Sequence, residues 1–166
     1  MVPIYRRPLR PYFPLFSDVV GAKNKTTFAP IIFAYKDMNI IGSAEWCRFK
    51  KLGVPAVKAR VDSGAKTSTI QADNIKPFIK DGQEWVKFDI NPIQENRSIV
   101  ISCEERVVTR KMIKNTSGIT EERIAFQTSV QIGDQMLTID LTLANRNSME
   151  FRMLLGRDAF KDRFLV

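Results

Sequence analysis

The sequence predicts an all-β domain, built as a small closed or nearly closed barrel, for three reasons. Short segments rich in β-branched and aromatic residues recur after residue 40, and turn residues separate them. No helical segment long enough to cross over a sheet lies between them. With 166 residues, of which 44% are apolar, the chain is long enough to bury one core.

Eight strands are predicted in order along the chain. Each is an alternating or continuously apolar run bounded by turn residues. Their ranges are 43–49, 56–62, 84–90, 99–103, 107–113, 124–132, 136–143 and 151–155. Asp81-Gly82 and Gly133-Asp134 predict tight turns, and residues 115–118 predict a longer hairpin tip. Only residues 157–163 read as a short helix.

The second predicted strand ends in Asp62-Ser63-Gly64-Ala65, which places a carboxylate on a tight loop at a strand end. Aspartic peptidases present their catalytic acid in this way. The triplet alone is a weak signal, since Asp-(Ser/Thr)-Gly occurs by chance in about one chain of this length in fifteen. A plain turn after a strand also explains Ser63 and Gly64, and this alternative stays open.

A second segment supports the first. About ninety residues downstream, the apolar run Leu154-Leu155 ends in Gly156 and is followed by Arg157. A glycine at such a place lets one backbone approach another where a Cβ would clash. The alternative, a core strand followed by a turn, also makes Leu154, Leu155 and Gly156 buried structural support.

The two segments together resemble the bacterial retropepsin-like aspartic peptidase family filed as "ATP-dependent zinc protease" or RimB-like. The resemblance runs through residues 42–46, 52–54, 58–68 and 151–157, and so covers nearly everything after residue 40. It implies a retroviral-type acid protease barrel over residues 41–166, with one short C-terminal helix. It also implies peptide hydrolysis by paired aspartates.

The resemblance gives Asp62 the role of catalytic acid and base, with Ser63, Gly64 and Ala65 supporting its loop. Two carboxyl groups about 3 Å apart share one proton, so that one can act as base while the other acts as acid. The chain has a single Asp-Ser-Gly and no internal repeat. We therefore expect a homodimer in which Asp62 meets its symmetry mate and Ser63 bonds across the two-fold axis.

One residue departs from the retroviral pattern. Four residues after the catalytic aspartate, where retroviral enzymes have a second Asp that pairs with the later arginine, this chain has Lys66. Arg157 must therefore find another partner, either Asp158 or a group in the neighbourhood of Asp62. Two cations near the carboxylate pair favour an acidic substrate.

The hairpin predicted around residues 110–123 occupies the chain position of a retropepsin flap. Its candidate substrate-binding residues are Arg110, Lys111, Lys114, Gly118 and Arg123. An ordinary solvated hairpin is the alternative. RimB-like proteins are associated with glutamate ligases and are thought to trim poly-glutamate tails, so the resemblance implies an acidic or poly-glutamate peptide as substrate.

Neither a cofactor nor a metal is expected. Histidine is absent, and two isolated cysteines cannot form a tetrahedral zinc site. Gly64-Ala65-Lys66-Thr67 lacks the glycine spacing of a phosphate-binding loop, so ATP is not expected to bind. Cys47 and Cys103 predict reduced thiols in a cytoplasmic protein. No apolar run reaches the roughly eighteen residues of a membrane span.

The formal charge of +8 is unevenly distributed, since residues 1–40 carry six Lys/Arg and two Asp/Glu. This proline-containing extension could be an address or a nucleic-acid arm, or translation could truly begin at Met38. For the domain itself, an inactive binding module and a nucleic-acid binder are the alternatives to a peptidase. Nucleic acid is not expected as a partner, because Phe88, Phe126 and Phe151 alternate as core residues do.

Overall fold

The computed structural model describes residues 39–94, 96, 98–114, 118–147 and 149–166. Within these residues the chain forms twelve strands and one short helix, which confirms the all-β class. No helix in this part of the chain is long and apolar enough to cross a membrane. The start at Met38 and nearly all of the predicted N-terminal extension lie outside the described residues, so both stay predictions.

The elements follow one another in the order β1 (Asn39–Ile40), β2 (Ala44–Phe49), β3 (Val54–Asp62), β4 (Ser68–Gln71), β5 (Asp73–Lys80), β6 (Gln83–Ile90), β7 (Ile101–Arg106), β8 (Thr109–Lys114), β9 (Thr120–Ile132), β10 (Gln135–Ala144), β11 (Met153–Gly156), α1 (Arg157–Phe160) and β12 (Phe164–Leu165).

Six strands close into a ring through their backbone pairings. Strand β10 pairs with β4, β4 with β11, β11 with β3, β3 with β2, and β2 with β9, which returns to β10. Strand β8 extends from β9 as a hairpin, while β5, β6 and β7 form a separate three-stranded sheet. Each strand of the ring therefore pairs with two ring neighbours over at least part of its length, which is the connectivity of a closed sheet.

The core is built from residues that alternate along the strands. In β3, Val57, Ala59 and Val61 are buried and the intervening lysine and arginine are exposed. The rings of Phe88 and Phe126 pack with their centroids 5.4 Å apart, which confirms both as core residues. The prediction for Phe151 is wrong, because it precedes β11 and is only half-buried.

The pattern did not predict four of the strands, β1, β4, β5 and β12. Strand β4 is buried at all four positions, so it shows no alternation, and its polar side chains bond internally. The hydroxyls of Thr69 and Thr142 lie 2.8 Å apart, for example. Strand β5 is mostly exposed and contains Pro77, which is tolerated because β5 is an edge strand.

The C-terminal helix is shorter than the predicted residues 157–163. It ends at Phe160, and Asp162 has a φ of +66° that turns the chain away from the helical direction. Residues Phe164–Leu165 then pair in parallel with Asn39–Ile40. The sequence pattern could not reveal this pairing, because its two partners lie at opposite ends of the domain.

Replacing Leu141 by alanine should lower the free energy of unfolding by about 2–5 kcal/mol. Leu141 is fully buried in β10, between Ser68 of β4 and Phe126 of β9, so its loss leaves a cavity in the ring. Denaturant unfolding measures the change. Met136→Ala on the same strand is the control, since Met136 is 54% exposed. Equal effects of the two substitutions would contradict the closed ring as the core.

Candidate active site

Asp62 is the last residue of β3, and its own loop orients its carboxylate. Oδ1 accepts hydrogen bonds from the backbone N–H groups of Gly64, at 2.9 Å, and Ala65, at 3.2 Å. Among the described residues, none bonds to Oδ2. The side chain is partly exposed. One oxygen is therefore fixed by the protein, and the other is available to an outside group.

Gly156 lies directly beside Asp62, because β11 pairs in parallel with β3 and these two residues are register partners. A Cβ on Gly156 would lie 2.6 Å from the carbonyl carbon of Thr67 and 2.8 Å from the carbonyl oxygen of Lys66. Neither is a flexible side-chain atom. The Gly156 N–H donates to Oγ of Ser68 at 3.1 Å. Only glycine permits this approach, as the sequence pattern predicted.

Arg157 holds the loop that carries Asp62. Its Nη1 donates to the carbonyl oxygens of Ser63, at 3.2 Å, and Gly64, at 3.5 Å. Its backbone N–H donates to the carbonyl of Ala65 at 2.9 Å, and that of Asp158 donates to the carbonyl of Lys66 at 3.1 Å. The partner of Arg157 is thus the loop backbone.

The alternative partner for Arg157, the carboxylate of Asp158, instead forms an ion pair with Lys161 at 3.3 Å. Leu155 is fully buried and Leu154 is half-buried, in agreement with a supporting role for the run before Gly156. Ser63 and Lys66 are exposed. A bond from Ser63 across a two-fold axis, and substrate binding by Lys66 or Arg157, stay predictions.

The β8–β9 hairpin carries the predicted basic residues, but carboxylates pair with most of them. Arg110 bonds to Glu84 and also to Glu122, at 2.9 Å from the latter. Lys111 bonds to Asp140 at 2.8 Å, and Arg123 bonds to Glu121. Residues 115–117 lie outside the described part.

These ion pairs neutralise much of the hairpin's positive charge. Lys114 and Gly118 are exposed at either side of the hairpin tip, and Gly118 has a φ of +81°. Substrate binding by Arg110, Lys111, Lys114, Gly118 and Arg123 stays a prediction.

Sequence reasoning missed one residue of this region, Arg146. It is half-buried in the segment between β10 and β11, and its Nε donates to the carbonyl of Phe151 at 3.3 Å. Burial lowers its pKa, the Arg123 cation lowers it further, and the Asp62 carboxylate opposes both. Arg146 therefore lies within electrostatic reach of Asp62, although no sequence spacing connects the two residues.

Neither cysteine is suited to nucleophilic chemistry. Both are free and buried, and burial raises the pKa of the Cys47 thiol to about 12 and that of Cys103 to about 11. In the part of the chain that the structure describes, no three acidic or cysteine side chains come together as a metal site would require. Asp62 remains the candidate catalytic group.

A comparison with protein families matches residues 40–166 to the model of the RimB-like family, described as retropepsin-like aspartic endopeptidase RimB. The chain belongs to the RimB-like family. The match covers the whole ring of strands as well as the Asp62 and Gly156 segments. The family resemblance inferred from these two segments is therefore confirmed.

Curated relatives of this RimB-like chain carry a different name. Proteins of Shewanella pealeana and Desulfotalea psychrophila are 52% and 50% identical to it over 127 residues, and each is named "Probable alpha-L-glutamate ligase". The matched region is 76% of this chain but only 28% and 27% of those relatives. The chain thus spans little more than a quarter of the length of these curated relatives.

A solved structure supports the fold. A Legionella pneumophila protein of unknown function is 26% identical to the RimB-like chain, with a TM-score of 0.63. The similarity covers 77% of this chain and 92% of the Legionella chain. An arrangement close to the one described here therefore forms in a crystallised protein.

Replacing Gly156 by alanine should lower the free energy of unfolding by about 1–3 kcal/mol, because the added methyl group meets backbone atoms that cannot rotate away. Thermal or denaturant unfolding measures this change. Gly42→Ala is the matched control, since the nearest atom to its added methyl group would lie 3.6 Å away. We expect a change within about 0.5 kcal/mol there. A Gly156→Ala protein as stable as the control would contradict the close approach.

Proposed function

We propose that the domain is an aspartic-type peptidase that works as a homodimer on acidic peptides, with poly-glutamate as the leading candidate substrate. The observation that carries the proposal is the geometry of Asp62. One of its oxygens is held by two loop amides, while no described residue bonds to the other. A partly exposed carboxylate of this kind can accept a proton from water or share one with a second carboxylate.

The homodimer follows from the chemistry. Hydrolysis by this route needs two carboxyl groups that share one proton, and the chain supplies one Asp-Ser-Gly loop. A second copy related by a two-fold axis would provide the other carboxylate. The exposed Ser63 beside Asp62 would then lie next to its own symmetry mate. Any titration measured at this site would belong to the pair and not to one residue.

The reaction balances with these two groups alone. The ionised carboxylate takes a proton from water as the water oxygen bonds to the peptide carbonyl carbon, and the protonated carboxyl group gives its proton to the carbonyl oxygen. When the tetrahedral intermediate collapses, the carbon–nitrogen bond breaks and the leaving nitrogen takes a proton from the pair, while one hydroxyl group of the intermediate returns its proton to the pair as the carbonyl double bond re-forms. The pair then again holds one proton, and no cofactor takes part.

The substrate class is supported by charge and by the relatives. Lys66 stands exposed four residues after Asp62, and Arg146 lies within electrostatic reach of it. The relatives named probable alpha-L-glutamate ligase carry the matched region within a much longer chain. A domain that hydrolyses glutamate chains would chemically oppose a ligase that makes them.

A cytoplasmic location stays a prediction.

A binding module without turnover is the second candidate. The observation that favours it is that the matched region makes up only about a quarter of the length of each relative named a ligase. In that role the domain would hold a glutamate chain for another part of a longer protein. Such a module would bind the peptide without using the Asp62 carboxylate as an acid or a base.

Asp62→Asn should abolish cleavage of a glutamate homopeptide, with a loss of at least about 100-fold, because an amide cannot take a proton from water. Mass spectrometry of the products measures the rate. Asp134→Asn, in the turn between β9 and β10, is the matched control and should retain activity. Asp62→Asn with unchanged cleavage would refute the proposal, and wild-type protein that binds the peptide without cleaving it would favour the binding module.

A further inference from the structure

Arg146 is held so that one end of its guanidinium group is left for an outside partner. Its Nε donates to the carbonyl of Phe151 at 3.3 Å, and its backbone N–H donates to the side chain of Gln71. Neither Nη1 nor Nη2 bonds to any other residue in the described part of the chain. These two nitrogens form the pair of donors with which arginine binds a carboxylate in bidentate fashion.

The charges around Arg146 do not balance its own. Arg123, whose side chain is 15% exposed, lies within its electrostatic reach and is already paired with Glu121. The Asp62 carboxylate is the favourable neighbour. In the proposed reaction, however, two copies of Asp62 share a proton and so carry one negative charge for two copies of Arg146. Each half-buried guanidinium group then has only half of a neutralising negative charge from Asp62, which favours the binding of an additional anion.

A partly buried network of hydrogen bonds fixes the segment that carries Arg146. The carboxylate of Asp73 accepts hydrogen bonds from Gln71 at 3.1 Å, Asn147 at 3.2 Å and Asn91 at 3.0 Å. Gln71 is fully buried and also accepts the Arg146 backbone N–H.

On the other side of the segment, the guanidinium of Arg152, only 3% exposed, donates to the side chain of Asn147 at 3.0 Å. The position of Arg146 is thus set by three elements at once: β4, the start of β5 and the residue after β6. A preorganised cation loses little freedom when it binds its ligand.

We propose that Arg146 determines substrate specificity by binding the side-chain carboxylate of a glutamate residue next to the bond that is cleaved. This inference rests on the proposed function, because it assumes that the Asp62 pair cleaves the bond next to that glutamate residue. A glutamine side chain has the same shape without the charge, so Arg146 should discriminate between the two. The exposed residues of the β8–β9 hairpin would contribute less, because carboxylates already occupy Arg110, Lys111 and Arg123.

Arg146 could instead act only on the charge of Asp62. A residue with that role would change the turnover and the pH profile for every peptide alike. A residue that binds the substrate carboxylate would change the affinity for glutamate peptides and leave that for glutamine peptides unaltered. Comparing the two peptides therefore separates the two roles.

The test measures binding in an Asp62→Asn background, where turnover cannot interfere. Fluorescent peptides that differ only in a glutamate or glutamine tract are titrated against the protein. Arg146→Gln should weaken glutamate-peptide binding by about tenfold or more and change glutamine-peptide binding less than about twofold. Arg146→Lys, which keeps the charge but loses the fork of donors, should fall between Arg146→Gln and the parent. The control is Arg48→Gln, an exposed arginine on β2, which should match the parent.

With the Arg146→Gln variant, either of two results would overturn the inference: equal weakening of the binding of both peptides, or the absence of any weakening. If Arg146→Gln does not fold, judged by its unfolding transition, the ratio of glutamate-peptide to glutamine-peptide affinity in Arg146→Lys decides between the same outcomes. Failure of glutamate peptides to bind the Asp62→Asn protein also overturns it. Cleavage that is lost in Asp62→Asn but retained in Arg146→Gln, with unaltered peptide preference, removes only the role of Arg146 and leaves the proposed function standing.

Discussion

The structure of the candidate active site depends on the close approach of two backbones, at Gly156 and at the loop after Asp62. The gap between them is too narrow for a Cβ, so the second segment can reach register with Asp62 only through glycine. Once Gly156 is in place, Arg157 and Asp158 are brought to the carbonyls of Ser63, Ala65 and Lys66. Hydrogen bonds from Arg157 and Asp158 therefore hold the loop in place. The backbone amides of the loop itself orient the Asp62 carboxylate.

Because the site depends on this close approach, its two segments could be predicted from the sequence. The carboxylate loop and the distant apolar run ending in glycine can each be recognised locally in the sequence. That the two segments lie side by side is implied by the family resemblance. The alternating strands were readable as well, because one face of each lies against the core, as β3 illustrates. Strand β4 was missed because it is buried on both faces and carries polar side chains that satisfy one another. The pairing of β1 with β12 was missed because nothing local indicates it.

The site also contains features that no spacing rule could give. Arg146 follows a strand in an ordinary polar segment, and no pattern in the sequence connects it with Asp62, whose carboxylate opposes the lowering of the Arg146 pKa. Conversely, the basic residues of the β8–β9 hairpin looked available in the sequence, yet the fold supplies carboxylates from β6, β9 and β10 to pair with them. Charge in a sequence gives the number of cations, whereas the fold decides which of them remain unpaired.

The central claim is that one active site uses two copies of Asp62, and mixing chains tests it most directly. A fixed amount of wild-type protein is refolded together with increasing amounts of Asp62→Asn protein, and peptide cleavage is measured per wild-type chain. If a dimer needs both carboxylates, random pairing should reduce this activity to about one half at equal amounts and to about one tenth at a ninefold excess of the variant. Activity per wild-type chain that stays constant throughout would contradict the paired-aspartate account.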